Sequence, residues 1–396
     1  MEYRALPHGG DKISVIGLGA GSLHESDPAE IERTVEAAIE AGINHFDYVT
    51  TNDKPFEPMA RAFRRHRDEV HLQVRLGADY RGHAYAWTTD PDVAISEFEQ
   101  RLRTLGTDYA DFGFIHCIDE DADLDRVMNG GIWDYALRQK QAGVIRHLGF
   151  STHSVRIARR LIATGEMDLG MFSLNPVYDY TDESEYGKGE ASDRAALYRE
   201  FERAGVGISV MKPFAGGRLL DAATSPFGRA LTRVQCIQYA LDRPGVLTVL
   251  PGVRGMADLD QILTYVDAIP AERDYAVLAD LAPESRAATC VYCNHCQPCP
   301  RGIQIGTVNK YYDLARLGDE MAAEHYRNLG AHAGAISVGI IEGSSEMALS
   351  EAEYAALDEV RREEVCARVE SVFRAAGADA VIRTMAELPA LARQAA

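Results

Sequence analysis

Four closely spaced cysteines suggest metal chemistry. Two residues separate each from the next, and a proline follows the last, so that the motif comprises Cys290, Cys293, Cys296, Cys299 and Pro300. Thiolates at this spacing on one loop can ligate the irons of a 4Fe–4S cluster, and the proline ends the loop. Four cysteines can also form a tetrahedral zinc site or remain reduced thiols. The motif therefore predicts a bound metal, with the iron–sulfur cluster as the main interpretation.

A second group with chemical potential is an aspartate and a histidine at the ends of two apolar runs. Asp47 lies in the run that begins at Asn44, and His116 lies near the end of the run that begins at Ala110. If both runs are parallel barrel strands, both side chains face the C-terminal mouth, where such barrels place their active sites. A carboxylate and an imidazole that meet there can transfer protons, or they can form a structural pair.

The segments around these residues alternate between strand-like and helix-like patterns. Amphipathic stretches separate eight short apolar runs, which are Ser14–Leu18, Asn44–Val49, Val70–Leu76, Ala110–Cys117, Ile145–Ser151, Leu169–Leu174, Val206–Met211 and Val246–Leu250. This rhythm indicates parallel strands connected by crossover helices. Eight repeats within about 255 residues favour a closed (β/α)₈ barrel over an open sheet. The predicted fold class is α/β.

After residue 270 this rhythm stops, which suggests three domains. The barrel comprises residues 1–270, and the segment that carries the cysteine motif comprises residues 271–329. A small α/β tail follows over residues 330–396. Its pattern predicts a strand at Ile336–Ile341, a long helix from Glu351, a strand at Ala380–Ile382 and a last helix from Glu387.

The charge of the chain restricts its partners. There are 60 acidic and 41 basic residues, which give a net charge of −19. An acidic surface disfavours nucleic acid and anionic lipid. No apolar run approaches the roughly 18–20 residues of a membrane helix, and residues 1–14 do not form a secretory signal. We expect a cytoplasmic protein that acts on a small molecule or a redox partner protein, and the oligomeric state stays open.

Short motifs over the first 270 residues resemble those of the aldo-keto reductase superfamily. They occur in that family's order on the predicted strands: Phe46-Asp47, Asp108–Asp111 with Ile115-His116, Gly149–Ser151, Asn175-Pro176, Met211–Pro213 with Gly216-Gly217, and Pro251-Gly252. The resemblance implies a barrel that reduces carbonyl compounds with NADP(H) or NAD(H). It implies catalytic roles for Asp47 and His116. It also implies cofactor contacts for Ser151, Asn175, Gly216, Gly217, Gly252 and Arg254.

Two catalytic positions depart from that family's pattern. Asn52 stands where the resemblance implies a proton-donating tyrosine, and Arg75 stands where it implies a lysine. Arg75 keeps a positive charge but does not deprotonate, and we count it among the candidate catalytic residues. No replacement acid is evident, because Tyr48 should point to the other face of its strand. These departures predict little ordinary aldehyde reduction with NADPH and count against nicotinamide binding.

The cysteine segment resembles the ferredoxin-type extension of one branch of aldo-keto reductase-like proteins. The motif from Cys290 to Pro300 and the later Asn309–Tyr312 carry this resemblance. Members of that branch often lack the same tyrosine and lysine, and they carry a second cysteine run after the helix that corresponds to Tyr311–Leu329. This chain has no such run. We therefore expect one 4Fe–4S cluster at most, with three or four cysteine ligands.

The tail resembles a different family. Gly334–Ile340, Glu342–Ser350 and Gly377–Ile382 with Glu387-Leu388-Pro389 are similar to the C-terminal end of phosphonoacetaldehyde hydrolase, an enzyme of the haloacid dehalogenase type. The nucleophilic aspartate, Schiff-base lysine and acidic metal ligands of that family have no counterpart in this chain. We therefore assign no catalytic residue to the tail and expect a βα addition.

Three functional hypotheses follow. The leading one is an iron–sulfur-dependent oxidoreductase on an aldo-keto reductase barrel, with Asn52 and Arg75 at the two altered catalytic positions. The second is an inactive barrel that serves as an electron-relay or interaction protein. The third is a phosphonate-related hydrolase, which the tail alone suggests. Nicotinamide binding would separate the first two, and metal-dependent phosphonatase activity would favour the third.

Overall fold

The structure is a computed structural model of the chain. It describes residues 1–180, 187–188, 191–278, 305, 308–309, 338–342, 344, 347, 349, 351–375 and 378–387. The chain divides into two compact units, residues 1–293 and 294–396. The predicted cluster ligands, Cys290, Cys293, Cys296 and Cys299, lie outside the described residues. Among the helices of the described part, none has the length and apolar character needed to cross a membrane.

Eight parallel strands of the first unit form a closed barrel. The strands of this unit are β1 (Tyr3–Ala5), β2 (Lys12–Ser14), β3 (Leu18–Gly19), β4 (His45–Asp47), β5 (His71–Leu76), β6 (Ala78–Asp79), β7 (Ala86–Trp87), β8 (Ala110–Ile115), β9 (Ile145–Thr152), β10 (Leu169–Ser173), β11 (Gly207–Met211) and β12 (Val246–Val249). The barrel order is β3-β4-β5-β8-β9-β10-β11-β12. The Gly17 N–H donates to the Val249 carbonyl at 2.8 Å, and the Val249 N–H donates to the Val15 carbonyl at 2.9 Å, which joins the two ends of the sheet. The predicted α/β barrel architecture is confirmed.

Helices alternate with the barrel strands, and local sequence signals fix their ends. They are α1 (Pro28–Glu40), α2 (Phe56–Arg65), α3 (Pro91–Leu105), α4 (Asp121–Asn129), α5 (Ile132–Gln141), α6 (Val155–Ile162), α7 (Pro176–Tyr180), α8 (Ala191–Arg203), α9 (Arg233–Leu241), α10 (Met256–Asp267) and α11 (Pro270–Arg273). Asp27 and Asp90 cap α1 and α3, each followed by a proline at the first helical position. Both features favour helix initiation. Gly106 ends α3 with φ 69°, a left-handed conformation that glycine adopts without strain.

Large apolar side chains fill the inside of the barrel. This inner cluster consists of Leu6, Ile13, Phe112, Phe114, Leu169, Met171 and Leu250. Phe112 and Phe114 are alternate residues of β8 and therefore share one face of the strand. Gly149 on the neighbouring β9 is required there, because a Cβ atom would overlap the Phe114 ring. A filled interior leaves the barrel mouth as the place where side chains can meet a ligand.

A short antiparallel hairpin follows β5 at the mouth of the barrel. Its strands β6 and β7 pair through Ala78 with Trp87 and Asp79 with Ala86. The Tyr85 N–H donates to the Thr51 carbonyl at 2.9 Å. The hairpin is therefore attached to the loop that follows β4. Its strands have two residues each, which is too short for the apolar periodicity that predicts a strand.

The second unit contains a small parallel βα element. Strands β13 (Val338–Ile340) and β14 (Ala380–Ile382) pair in parallel, and α12 (Glu351–Ala356) and α13 (Glu359–Ala375) lie between them in sequence. Ile341, Met347, Cys366 and Val369 form its buried cluster. The predicted strand–helix–strand order of the tail is confirmed, but the single long helix predicted from Glu351 is divided into α12 and α13. The helix predicted from Glu387 onward falls almost wholly on residues 388–396, which lie outside the described residues.

Candidate functional site

A buried ion pair lies at the base of the barrel mouth. Asp47 is the last residue of β4, and Arg75 is the penultimate residue of β5, with 6% and 3% of their surfaces exposed. Arg75 Nη2 lies 2.7 Å from both carboxylate oxygens, and Arg75 Nε lies 3.0 Å from Oδ1. Gln73 donates a further hydrogen bond to Oδ1 at 2.9 Å. These bonds fix the guanidinium in one orientation.

The surroundings of this pair are mostly apolar. Arg75 Nη2 also lies 3.1 Å from the Met171 sulfur, and the guanidinium carbon lies 5.0 Å from the centre of the Phe114 ring. Burial raises the pKa of Asp47, whereas the charge of Arg75 and the hydrogen bonds from Arg75 and Gln73 oppose that rise. Arg75 Nη1 is buried and has no hydrogen-bond partner in the part of the chain that the structure describes. It therefore retains donor capacity.

His116 lies directly after β8, and its backbone N–H donates to the Leu76 carbonyl at 2.9 Å. Nδ1 of the ring lies 3.3 Å from Ser151 Oγ, which accepts the Cys117 N–H at 2.8 Å. Burial, and then the charge of Arg75, lower the pKa of His116 well below its usual value. The imidazole is therefore neutral at neutral pH. Asp47, Arg75, His116 and Ser151 all lie at the C-terminal ends of their strands, as the sequence predicts.

Tyr85 is a functional candidate that the sequence did not reveal. It directly precedes β7 in the hairpin, and its phenol oxygen is 2.8 Å from His116 Nε2. Trp87, also on the hairpin, donates its indole N–H to the His116 carbonyl at 3.0 Å. Two side chains of one hairpin thus contact one histidine. No acid for the mouth was evident from the sequence, and the tertiary fold brings this phenol to His116.

Asn52 and Tyr48 do not occupy that place. The Asn52 side-chain oxygen accepts the backbone N–H of Lys54 at 3.1 Å, which stabilises a local turn. Tyr48 is buried, and its hydroxyl donates to the Phe56 carbonyl at 2.8 Å. Tyr48 therefore faces α2, in agreement with the alternation expected along its strand.

Two predicted cofactor contacts use their polar atoms within the chain. The Asn175 amide nitrogen donates to the Lys212 carbonyl at 2.8 Å, and its oxygen accepts the Tyr178 N–H at 3.1 Å. Ser151 Oγ bonds to the Cys117 backbone, as described above. Both side chains thus use part of their hydrogen-bonding capacity within the chain.

The loops after β11 and β12 hold the other predicted cofactor contacts. A Cβ atom at Gly216, Gly217 or Gly252 would meet nothing within 4 Å, so there is open space beside the backbone. Arg254, however, makes a bidentate ion pair with Asp258, with N–O distances of 2.7 and 2.9 Å. There is thus room beside these loops, but the exposed Arg254 side chain is paired with Asp258 of its own segment. We derive no step through a dinucleotide.

A small group of potential metal ligands lies beside His116. Cys117, Asp119 and His153 each bring one ligand atom, and these atoms lie within 4.8 Å of one another. His153 Nδ1 is 2.9 Å from Asp119 Oδ2. The other carboxylate oxygen, Asp119 Oδ1, accepts the backbone N–H of His153 at 2.6 Å. These hydrogen bonds account for the proximity of the aspartate and the histidine.

Comparison with known proteins identifies the barrel. The model of the aldo/keto reductase family matches residues 15–232. The chain belongs to the aldo/keto reductase family. An aldo-keto reductase of Mycobacterium sp. (strain MCS) is 27% identical to it, over 54% of this chain and 67% of the relative. The L-glyceraldehyde 3-phosphate reductase of Escherichia coli (strain K12) is 21% identical, over 55% and 63%. The chain thus spans about two thirds of the length of these relatives.

Solved structures support the same fold. An aldo-keto reductase from Bacillus halodurans in its holo form superimposes with a TM-score of 0.58 at 21% identity, over 72% of this chain and 97% of that one. Its apo form gives a TM-score of 0.55 at 20% identity. At this identity the likeness establishes the architecture alone.

Similarity to phosphonoacetaldehyde hydrolases is confined to a small part of those proteins. The enzyme of Bacteroides fragilis (strain YCH46) is 50% identical over 78 residues, which are 20% of this chain and 28% of the relative. That of Lactiplantibacillus plantarum is 48% identical over 65 residues, or 16% and 24%. The similarity therefore covers about a quarter of each hydrolase and does not establish its activity here.

Proposed function

We propose that this chain is an oxidoreductase that interconverts a carbonyl and an alcohol at the barrel mouth. It would exchange electrons through one 4Fe–4S cluster bound by Cys290, Cys293, Cys296 and Cys299. The observation that supports this best is the buried Asp47–Arg75 ion pair beside a neutral His116, in a member of the aldo/keto reductase family. Fixed charge next to a neutral imidazole suits a reaction in which an oxygen gains and loses negative charge.

Each residue has a distinct role in this proposal. Arg75 supplies a permanent positive charge that stabilises an oxygen anion, and Nη1 is the nitrogen with donor capacity to spare. Asp47 fixes the guanidinium through its bidentate contact, so that the charge does not reorganise during the reaction. His116 acts as a neutral hydrogen-bonding group. The cluster, when bound, supplies or accepts single electrons.

The reductase names of the relatives support a carbonyl substrate, which on this proposal is a small molecule. The electrons come from or go to a redox partner protein. The net charge of −19 disfavours nucleic acid as a partner.

The second candidate is an electron-relay protein with an inactive barrel. The engaged side chains of Asn175 and Arg254 favour it, because they leave fewer groups to hold a dinucleotide. This candidate predicts a cluster without turnover of any carbonyl. A hydrolase function has no supporting site in the described residues.

Anaerobic purification of the full chain would test the proposal. Iron and sulfide analysis should give about four irons per chain, as one cubane requires. A panel of aldehydes and ketones is then assayed with reduced viologen, NADPH and NADH as separate electron donors. Cys293→Ser should abolish viologen-driven turnover, and Cys236→Ser is the matched control because Cys236 is buried in α9.

The possible outcomes separate the candidates. Turnover that depends on Cys293 supports the proposal. A cluster without any turnover, and without binding of either nicotinamide, supports the electron relay. Turnover that Cys293→Ser leaves unchanged would overturn the role of the cluster.

A further inference from the structure

We propose that Tyr85 is the catalytic proton donor to the carbonyl oxygen in this barrel. This inference rests on the proposed carbonyl–alcohol chemistry and names the acid that this chemistry needs. The acid comes from the hairpin that follows β5, whereas the resemblance implies one in the loop that follows β4, at Asn52. The contact that points to it is the 2.8 Å hydrogen bond between the Tyr85 hydroxyl and His116 Nε2.

The Tyr85 ring is both anchored and accessible. It packs edge-on against Tyr80 and His116, with ring centroids 6.0 and 5.6 Å apart. Its backbone N–H donates to the Thr51 carbonyl, which fixes the base of the side chain. Nevertheless, 38% of the residue is exposed. A phenol held in this way can reach a ligand in the mouth without losing its position, which general acid catalysis requires.

We assign His116 the tautomer that leaves the phenol hydrogen free for a ligand. Ser151 Oγ already accepts the Cys117 N–H, so its own hydrogen can donate to His116 Nδ1. The imidazole then carries its hydrogen on Nε2 and donates it to the Tyr85 oxygen. In this tautomer the phenol hydrogen points away from His116. The same Nε2–H would stabilise the phenolate that remains after proton transfer.

The surroundings of Tyr85 keep its hydroxyl protonated before the reaction. Burial is the main cause that raises the pKa of Tyr85, and the charge of Arg75 opposes the rise. The side chain is therefore a neutral phenol at neutral pH and holds a proton to give. An alkoxide is more basic than a phenolate, so transfer from Tyr85 to a developing alkoxide is favourable.

The step balances with the electron donors of the assay as reductant. With NADPH or NADH, a hydride forms the new C–H bond; with reduced viologen, two viologens give one electron each and water gives the proton for that bond. In both cases the π electrons of the carbonyl move to its oxygen, and that oxygen takes the proton of Tyr85 to become an alcohol. The donor is oxidised by two electrons in total, and the phenolate regains a proton from water at its exposed edge.

The test compares two tyrosine-to-phenylalanine variants of the anaerobically purified full chain. Tyr85→Phe removes only the hydroxyl and keeps the ring contacts. Tyr109→Phe is the matched control, since Tyr109 precedes β8 whereas His116 follows it. With the carbonyl substrate found in the assay above, Tyr85→Phe should lower kcat/KM by about 10²–10⁴-fold, the usual contribution of a general acid. KM should change by no more than about tenfold, as expected for one hydrogen bond.

Infrared spectroscopy of a bound ketone tests the contact with Tyr85 even if no carbonyl is turned over. The probe is cyclohexanone labelled with ¹³C at the carbonyl, followed by difference infrared spectroscopy. A phenol that donates to the ketone lowers its carbonyl stretching frequency, so the bound band of the wild type should lie below that of Tyr85→Phe. The Tyr109→Phe band should match that of the wild type.

The two measurements distinguish failure of the Tyr85 role from failure of the proposed function. If the wild type turns over a carbonyl and Tyr85→Phe retains its kcat, Tyr85 is not the donor although the proposed function stands. If no carbonyl is turned over, the proposed function fails, and the infrared shift alone decides whether Tyr85 contacts a carbonyl. No bound band, or the same band in Tyr85→Phe, overturns the inference.

Discussion

Asn52 and Ala84 pair across an antiparallel bridge, which joins the loop after β4 to the hairpin after β5. Two backbone hydrogen bonds extend the bridge. The Tyr85 N–H donates to the Thr51 carbonyl, and the Asp53 N–H donates to the His83 carbonyl at 3.2 Å. The backbone at Asn52 is therefore committed to holding the hairpin. The loop after β4 supports the hairpin, and the hairpin presents Tyr85 to His116.

This bridge predicts that a tyrosine at position 52 will not act as a second acid. Asn52→Tyr removes the side-chain bond to the Lys54 N–H but does not bring a phenol to His116, whose Nε2 already contacts Tyr85. We expect no increase in kcat/KM for the carbonyl substrate. The double variant Asn52→Tyr/Tyr85→Phe should be as slow as Tyr85→Phe alone. Recovery of activity in the double variant would show that position 52 can reach the substrate.

Loss of Arg75 should destabilise the barrel strongly. Arg75→Met leaves the buried Asp47 carboxylate without its ion partner, which typically costs about 3–5 kcal/mol in the free energy of unfolding. Arg254→Met is the matched control, because the Arg254 side chain is 59% exposed and such pairs contribute about 1 kcal/mol or less. Urea unfolding at pH 7 would measure both values.

A double variant separates charge burial from packing. Asp47→Leu/Arg75→Met removes both charges and should be more stable than Arg75→Met alone, since no uncompensated charge remains in the barrel. If the double variant is the less stable one, the cost of Arg75→Met comes from lost packing.

Asp111 should stabilise the fold only above the pH at which an unfolded aspartate ionises. It accepts the Leu72 N–H at 3.0 Å and lies 2.8 Å from Arg67. Burial raises its pKa, but hydrogen bonding from His71 and the charge of Arg67 outweigh this, so the net pKa is lowered. A lowered folded-state pKa gives stability that is present above about pH 4 and is lost as the pH falls through the folded value.

Unfolding of Asp111→Asn and of the wild type at several pH values would show whether the stabilisation by Asp111 is lost at low pH. The variant should be less stable at pH 7, by about 1–3 kcal/mol for lost hydrogen bonds to a charged group. The difference should narrow as the pH falls below about 4. Asp108→Asn changes an exposed carboxylate nearby and should match the wild type at every pH. If the difference in the free energy of unfolding between Asp111→Asn and the wild type stays constant down to pH 2, the stabilisation does not come from the ionised Asp111 carboxylate.

The barrel was predictable from the sequence because its strands are buried on both faces. Val70–Leu76 has an apolar residue at every second position, Ala110–Cys117 is mostly apolar, and each run coincides with an observed strand. Asp47 and His116 were predictable as mouth residues for the same reason, since the end of an apolar run marks the end of a strand.

The β6–β7 hairpin and Tyr85 were not predictable in this way. Its two-residue strands lie in a polar stretch, and their pairing depends on contacts with His116 and Thr51, which are distant in sequence. The only local signals are Gly77 and Gly82, which indicate turns between β5 and α3. A turn signal does not say which side chain reaches the mouth.

The last prediction concerns the number of iron–sulfur clusters. A second cluster needs about four more thiolates, and outside the motif the chain has only Cys117, Cys236 and Cys366. Burial raises the pKa of Cys236 to about 12 and also raises that of Cys117, so both favour the protonated thiol, which is not the ligand form. Cys366 is buried in α13. Iron analysis of anaerobic protein should therefore give about four irons per chain or fewer.

Serine variants distinguish the two ligand sets for that cluster. In two-cluster ferredoxin segments, the cysteine before the proline ligates the other cluster, and here that position is Cys299. Cys293→Ser should remove the iron. If Cys299→Ser changes the iron content little, the cluster has three cysteine ligands, and it should degrade in air faster than a fully ligated one, since exposed thiolates oxidise readily. If both variants lose the iron equally, Cys299 completes the cluster. Eight irons per chain would contradict the single-cluster prediction.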